Sequence, residues 1–212
     1  MLSRLQLFRP YDRNPNALRY RRHPAFCLTK LRGIIAEHSE AEELMLQRHA
    51  RGRKSLVEIG VAEGASAFAL RRVADVSAVL YLVDPYLPGR IPGLNLTKLC
   101  AQRNVNGCTN ATVRFLEDFS HNASKTWRTA IDFLFIDGDH SYEACMRDWQ
   151  EWSPFVEASG IVAFHDARTF QGGWPREDWG PVMVVNQLFR ERVNSDWTII
   201  DEVDSLVVAQ RI

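Results

Sequence analysis

Two short stretches of this chain carry residues that can do chemistry. Asp137-Gly138-Asp139-His140 follows the apolar run Ile131–Ile136, and His165-Asp166 follows Ile161–Phe164. Acids and imidazoles directly after strand-length apolar runs stand at strand ends, the edge where open α/β sheets bind ligands. Neighbouring strands lie about 5 Å apart, so Asp137, His165 and Asp166 can converge on one ion. A hydroxyl held by a divalent ion becomes more acidic and is oriented by it. A histidine, with an ordinary pKa near neutrality, suits removal of its proton.

A second feature lies upstream. Val57-Glu58-Ile59-Gly60-Val61-Ala62-Glu63-Gly64-Ala65-Ser66 runs from a strand into a helix. Glycines at such a turn let the backbone approach a ligand, and the helix start offers free N–H groups. The spacing is Gly-x-x-x-Gly after an acid, which departs from the G-x-G-x-x-G of dinucleotide sites. The next strand ends at Asp84, where an acid can accept hydrogen bonds from both ribose hydroxyls of a nucleoside.

These stretches need a scaffold, and the pattern supplies one. Residues 28–50 read as a helix. Strand runs Ser55–Ile59, Val79–Val83, Ala111–Leu116, Ile131–Ile136 and Ile161–Phe164 then alternate with helical stretches Ala65–Val76, Leu94–Val105, Ser120–Ala130 and Ser141–Val156. Such alternation predicts βαβ units in a parallel, doubly wound sheet. Val182–Val193 reads as a helix, and Trp197–Glu202 and Leu206–Gln210 as two strands joined too tightly for a parallel crossover, hence an antiparallel hairpin. Asp132 and Asp148 read as structural, the first at a strand start and the second on a solvated helix face. Trp149 and Trp152 read as core.

Composition narrows the rest. The 212 residues suit one domain, and a formal net charge of zero gives no polyanion-binding signature, so no nucleic-acid partner is expected. Residues 1–50 read as a basic arm and helix that could fold over the site as a lid, with 51–212 as the main domain. Arg4, Arg9, Arg13, Arg19, Arg21, Arg22, Lys30 and Arg32 face only Asp12 there, and Tyr11, Tyr20 and His23 are the lid's aromatic candidates. Cys27, Cys100, Cys108 and Cys145 form no CxxC pair, so reduced thiols are expected. No apolar run approaches the roughly 20 residues of a membrane span. With no signal peptide visible, a cytoplasmic location is expected.

Residues 55–190 resemble small metal-dependent O-methyltransferases of macrolide and aminocoumarin sugars, with relatives that methylate mannose-containing oligosaccharides. The resemblance rests on Ile136-Asp137-Gly138-Asp139-His140-Ser141-Tyr142-Glu143, on Gly160-Ile161-Val162-Ala163-Phe164-His165-Asp166, and on Gly180-Pro181-Val182 opening a helix. It implies a class I, Rossmann-like fold with a seven-stranded sheet ending in the hairpin. The cofactor would be S-adenosylmethionine (SAM), held by Glu58, Gly60, Glu63, Gly64, Ser66 and Asp84, with Asp118 and Ser120 at the adenine edge. It further implies Mg²⁺ or another divalent ion on Asp137 and Asp166, and His140 as the base. His165 stands where those enzymes carry an acid; it is counted with the metal residues, and its role stays open between weak ligand, donor to the ligands and helper in proton transfer. The acceptor would be a hydroxyl of a sugar or glycoside, whether an oligosaccharide or a glycosylated natural product, with Trp174 and Trp179 in the loop 168–179 as ring platforms. A catechol or phenolic acceptor is the near alternative, although those enzymes usually carry Lys at His140 and Asn at Ala167. A nicotinamide-dependent oxidoreductase and an idle SAM-binding module are the alternatives of other classes. A homo-oligomer is compatible with the sequence.

Overall fold

The computed structural model describes residues 11–12, 23–30, 33–87, 93–191 and 196–212. A short parallel ribbon pairs β1 (Tyr11–Asp12) with β2 (Ile34–Ile35). The main sheet has β3 (Ser55–Ile59), β4 (Val79–Val83), β5 (Thr112–Leu116), β6 (Ile131–Ile136), β7 (Val156–Phe164), β8 (Trp197–Val203) and β9 (Leu206–Arg211), in the order β5-β4-β3-β6-β7-β9-β8. Its first five strands are parallel, β9 is antiparallel to β7, and β8 is antiparallel to β9. The helices are α1 (Pro24–Leu28), α2 (Glu40–Ala50), α3 (Ala65–Val73), α4 (Leu96–Val105), α5 (Ser120–Thr126), α6 (Tyr142–Trp152) and α7 (Gly180–Val185). This is the seven-stranded, doubly wound layout with a terminal hairpin that the strand spacing predicts.

The inner strands are apolar throughout because both faces of the sheet are covered. Leu56, Phe133 and Phe135 point to the face covered by α2, α3 and α4, where Met45, Leu46, Leu70 and Val105 are buried. Val57, Leu134 and Ile136 point to the other face, against Trp149 and Trp152 of α6 and Val184 and Val185 of α7. Strand order reverses between β3 and β6. Loops after those strands therefore diverge to opposite faces and leave a crevice at their carboxyl ends.

Several elements differ from the sequence reading. Residues 28–50 are not one helix: α1 ends at Leu28, β2 follows, and α2 starts at Glu40. A capping box explains the restart, with Ser39 Oγ accepting from Glu42 N and Glu42 accepting from Ser39 N. Helix α7 stops at Val185 and continues as a wider turn over Asn186–Arg190; Val193 lies outside the described residues. The described part of the supposed arm is packed, with Arg103 donating to the carbonyls of Cys27 and Leu28 at 2.8 Å. His23 caps α1 through its own ring. Tyr20 and the arginines at 4, 9, 13, 19, 21, 22 and 32 lie outside the described residues, as does the side chain of Tyr11, so the lid is not traced. No helix among the described residues is long and apolar enough to cross a membrane.

Candidate active site

The carboxyl ends of β3, β4, β6 and β7 border one cleft of about 1320 Å³, walled on one side by residues 35–39. Strand ends are tied together at its floor. Gly60 N donates to Val83 O, Asp137 N to Ile59 O, and His165 N to Ile136 O. Gly60 has a φ of +84°, and a Cβ there would overlap the carbonyl oxygen of Asp137. A side chain at this position would push the β3 loop off the β6 turn, so the glycine is required by close approach as well as by φ.

One end of the cleft is built around that loop. Gly60, Glu63, Ser66 and Asp84 line it. Asp84 also braces the loop: Oδ2 accepts from Val61 N and Ala62 N at 3.0 and 3.2 Å, and Oδ1 from Tyr86 N at 2.8 Å. The Tyr86 hydroxyl beside it is buried without a hydrogen-bond partner. Glu63 accepts from Ile35 N at 3.3 Å, which ties the wall to the loop.

Three expected cofactor residues do not line the cleft. Glu58 is fully buried beneath the loop, where Ser66 Oγ donates to it at 2.5 Å. Burial pushes its carboxyl well above the usual range; the Ser66 bond opposes this, and the charges of Asp137 and Asp84 add to it. Gly64 turns away and packs on Ala101 and Val105 of α4. Asp118 is exposed and accepts from Phe119 N and Asn122 Nδ2, which spends its carboxylate on the start of α5. Phe119, Ser120 and His121 occupy the cleft edge in its place.

Ser120 leads to a residue that the sequence reading placed in solvent. Its hydroxyl donates to Asp148 Oδ1 at 2.5 Å, and Asp148 is 3% exposed and lines the cleft. Burial raises the Asp148 carboxyl to about 6, against the pull of Ser120 and Arg147. The sequence reading placed it on a solvated helix face because an acid on a helix is usually exposed; that face covers the cleft, not open water.

The other end holds the acids and histidines. His140 is 45% exposed at its side chain, its Nε2 stands 3.5 Å from Asp166 Oδ2, and its ring stacks on Trp179 with centroids 5.5 Å apart. The turn that carries it is held rigidly. Asp139 Oδ1 accepts from Ser141 N at 2.7 Å, and Gly180 N donates to His140 O at 3.1 Å. The Ser141 bonds hold the Asp139 carboxyl below its usual range. Asp166 is a buried, non-glycine residue at φ +51°, a conformation kept only where surroundings enforce it. Its Oδ1 accepts from Trp174 Nε1 at 2.7 Å. Burial raises the Asp166 carboxyl, opposed by His165 and reinforced by Asp137. Trp174 leaves 46% of its surface exposed over this end, whereas Trp179 is committed to His140.

His165 is buried between acids. Its Nδ1 lies 3.0 Å from Asp137 Oδ1 and 3.6 Å from Asp166 Oδ2, and its Nε2 lies 3.5 Å from Glu42 Oε2. Glu42 is fully buried and was not singled out by the sequence; the Ser39-x-x-Glu42 capping pattern marked a helix start but could not show where the carboxylate ends up. Ser205 at the hairpin turn donates to Glu42 Oε1 through N and Oγ at 2.8 and 2.6 Å. Burial pushes Glu42 up, but bonds and charge from His165, with Ser205 and Ser39, outweigh it and leave it at about 2.

This arrangement bears on the expected divalent ion. Among the described residues no group of three or more His, Cys, Asp and Glu side chains is placed to hold a metal ion. Asp137 and Asp166 do converge, as their strand ends require, but the group between them is the His165 ring. The three-ligand site implied by the resemblance, with His165 as a ligand, does not fit: Nδ1, the ring nitrogen that faces both acids, is hydrogen-bonded to Asp137, and Nε2 points away from them, 3.5 Å from Glu42 and without a hydrogen-bond partner.

Comparison with known proteins agrees with the fold. The model of a family described as a methyltransferase domain matches residues 57–167. Protein R132 of Acanthamoeba polyphaga mimivirus is 26% identical over 120 residues, covering 54% of this chain and 52% of that protein, so the chain spans about half the length of this curated relative. An O-methyltransferase from Bacillus cereus, solved with S-adenosylhomocysteine, superposes with a TM-score of 0.61 at 14% identity, covering 89% of this chain and 87% of that one. The O-methyltransferase of tomaymycin synthesis from Streptomyces achromogenes, solved with SAM, gives 0.63 at 14% identity with the same coverage. A Corynebacterium glutamicum protein gives 0.64 at 14% identity, covering 94% and 91%. At these identities the likeness of the solved structures is one of fold.

Proposed function

The chain belongs to the methyltransferase domain family, and we propose that this enzyme moves the methyl group of SAM onto a hydroxyl of a sugar or glycoside. One observation carries the reading: the cleft has a nucleoside-type end at Gly60, Asp84 and Ser120 and, separated from it by Asp137, a second end with a half-exposed histidine beside a carboxylate. The first end fits the cofactor. Asp84 retains acceptor capacity on Oδ1 after its backbone bonds, and the Tyr86 hydroxyl there lacks a partner.

When bound, SAM supplies an electrophilic methyl on a sulfonium. The residues of the chain must bring a hydroxyl oxygen to that methyl, free it of its proton and keep water away. Asp84 and the β3 loop hold the nucleoside. His140 accepts the hydroxyl proton at Nε2, and Asp166, 3.5 Å away, stabilises the imidazolium so formed. Trp179 and the Gly180 amide fix the ring and the backbone of the base. The exposed face of Trp174 offers a sugar ring an apolar platform at the same end. No step is assigned to a metal ion, because the donors present do not fit a three-ligand site.

An acceptor screen with methyl-labelled SAM tests this reading. Transfer to hydroxyls of sugars or glycosides is expected. Transfer to catechols or phenols alone would replace the acceptor class, and the absence of SAM binding in calorimetry would overturn the cofactor.

A further inference from the structure

We propose that Asp148 of α6, together with Ser120 of α5, reads the exocyclic amino group of the cofactor's adenine; the inference rests on the reading of the Gly60 and Asp84 end of the cleft as the nucleoside site.

Helices α5 and α6 cover the same face of the sheet, where Ala123, Trp149 and Trp152 pack. The polar side chains they bring to the cleft are Ser120, His121, Arg147 and Asp148. Asp148 is 3% exposed, and its Oδ1 accepts from Ser120 Oγ at 2.5 Å. Its Oδ2 receives no hydrogen bond from any described residue, and Arg147 acts on it through charge alone. That oxygen lies beside the turn after β6, 3.4 Å from where a Cβ on Gly138 would stand. A carboxylate held out of water without a bonded cation is costly to the fold. Such a group in a cleft is placed for a ligand to complete its hydrogen bonds.

The chemistry of the pair selects that ligand. An ionised carboxylate only accepts hydrogen bonds, and a serine hydroxyl that has given its proton away keeps its lone pairs. Asp148 Oδ2 and Ser120 Oγ are therefore two neighbouring acceptors without a donor. An amino group on a planar ring carries two N–H donors and suits such a pair. A ring carbonyl would meet it lone pair to lone pair. Placement agrees. With the ribose on Asp84 and the methyl group turned to His140, the base is left the side bordered by Pro85, Leu87 and Phe119, whose apolar surfaces suit the faces of a purine. Ser120 directly follows Phe119, so a contact to the ring's edge adjoins a contact to its face. Asp118, the other acid after β5, is turned to Phe119 N and Asn122 Nδ2.

The competing role is structural: Asp148 would only tie α6 to α5 through Ser120. Calorimetry with S-adenosylhomocysteine and S-inosylhomocysteine, in which a carbonyl replaces the amino group, separates the two. At pH 8, where Asp148 is ionised, the parent should bind the adenosyl compound at least about tenfold more tightly, because the carbonyl leaves buried acceptors unpaired. Asp148→Asn, whose amide can also donate, should narrow that ratio to about threefold or less. Ser120→Ala should narrow it part of the way, and Asp118→Asn should leave it unchanged. A structural tie would change both affinities by one factor, so an unaltered ratio in Asp148→Asn overturns the proposal, as does a ratio that collapses in Asp118→Asn instead. If Asp148→Asn does not fold, the ratio in Ser120→Ala decides in the same way. A parent that binds both compounds equally overturns the assignment of Asp148 alone; a parent that binds neither removes the nucleoside site, and this proposal with it.

Discussion

Asp84 and His140 sit at opposite ends of one cleft, and their losses should separate cleanly. Asp84→Ala should weaken SAM binding by about 1.5–3 kcal/mol, the worth of charge-assisted hydrogen bonds. The structure adds a control, because Asp84 also accepts from Val61 N and Ala62 N. Asp84→Asn keeps an oxygen for those amides, so a variant that binds SAM normally would show that bracing the loop is the residue's only task. His140→Ala should lower kcat by about 10²–10⁴-fold and leave SAM affinity nearly unchanged, with partial recovery as pH rises. His165 is the rival base. Its ring is buried and its Nδ1 is committed to Asp137, so His165→Ala should act through the placement of Asp137 and Asp166 and gain nothing from high pH. If His165→Ala abolishes turnover while His140→Ala retains most of it, the base lies on β7.

At the scale of elements, the base is positioned by the start of a helix far from it in sequence. Gly180 opens α7 and donates to His140 O, and a Cβ there would overlap Ser141, Tyr142 and His140 backbone atoms. The contact joins α7 to α6 without a side chain between them, and it brings Trp179 onto the His140 ring. Gly180→Ala must separate the two helices or shift the turn. It should destabilise the fold by about 1–3 kcal/mol, the usual range for overpacking, and lower kcat more than SAM affinity. Urea unfolding with matched kinetics checks this; wild-type kcat in a stably folded variant would detach α7 from the function of the base. The wall 35–39 is a similar product of packing. It reaches the cleft because β2 docks through Ile35 N on Glu63 and because Glu42 pins the start of α2 to the hairpin turn.

For the whole molecule, two buried acids pull stability in opposite directions with pH. Glu42, held down to about 2 from an ordinary 4.5, contributes stability that is present above pH 4.5 and lost as pH falls towards 2. Asp148, raised from 3.8 to about 6, favours the folded state below pH 4, and that contribution fades as pH rises through 6. Asp148→Asn keeps an acceptor for Ser120 and removes the charge. It should leave stability at pH 4 nearly unchanged and raise it at pH 8 by up to about 3 kcal/mol, from roughly two pKa units at 1.36 kcal/mol each. Thermal unfolding of both proteins across that range is the check; equal Tm differences at pH 4 and pH 8 would show that Asp148 carries no such penalty.

From Ser55 onward the order of strands and helices and the residues at the strands' carboxyl ends were legible in the sequence alone, whereas β2 and the break between α1 and α2 were not. Hydrophobic periodicity is local, so Ser55–Ile59 or Ile131–Ile136 can be read within a window of a few residues. The meeting of Asp137 with Asp166 followed too, since parallel strands bring their ends to one edge. Tertiary structure decided what those ends touch. Glu42 meets His165 because α2 packs across the sheet onto the hairpin turn, and no local pattern encodes that contact. Asp148 looks solvated by periodicity, yet its helix face is closed over by the cleft and by Ser120. Asp118 and Ser120 are two residues apart, and only the entry angle of α5 decides that the first turns outward onto Phe119 N and Asn122 while the second lines the cleft. Local preferences are summed over neighbours in the chain, whereas the charge environment of a buried ring is set by whichever side chains the folded core brings within a few ångströms of it.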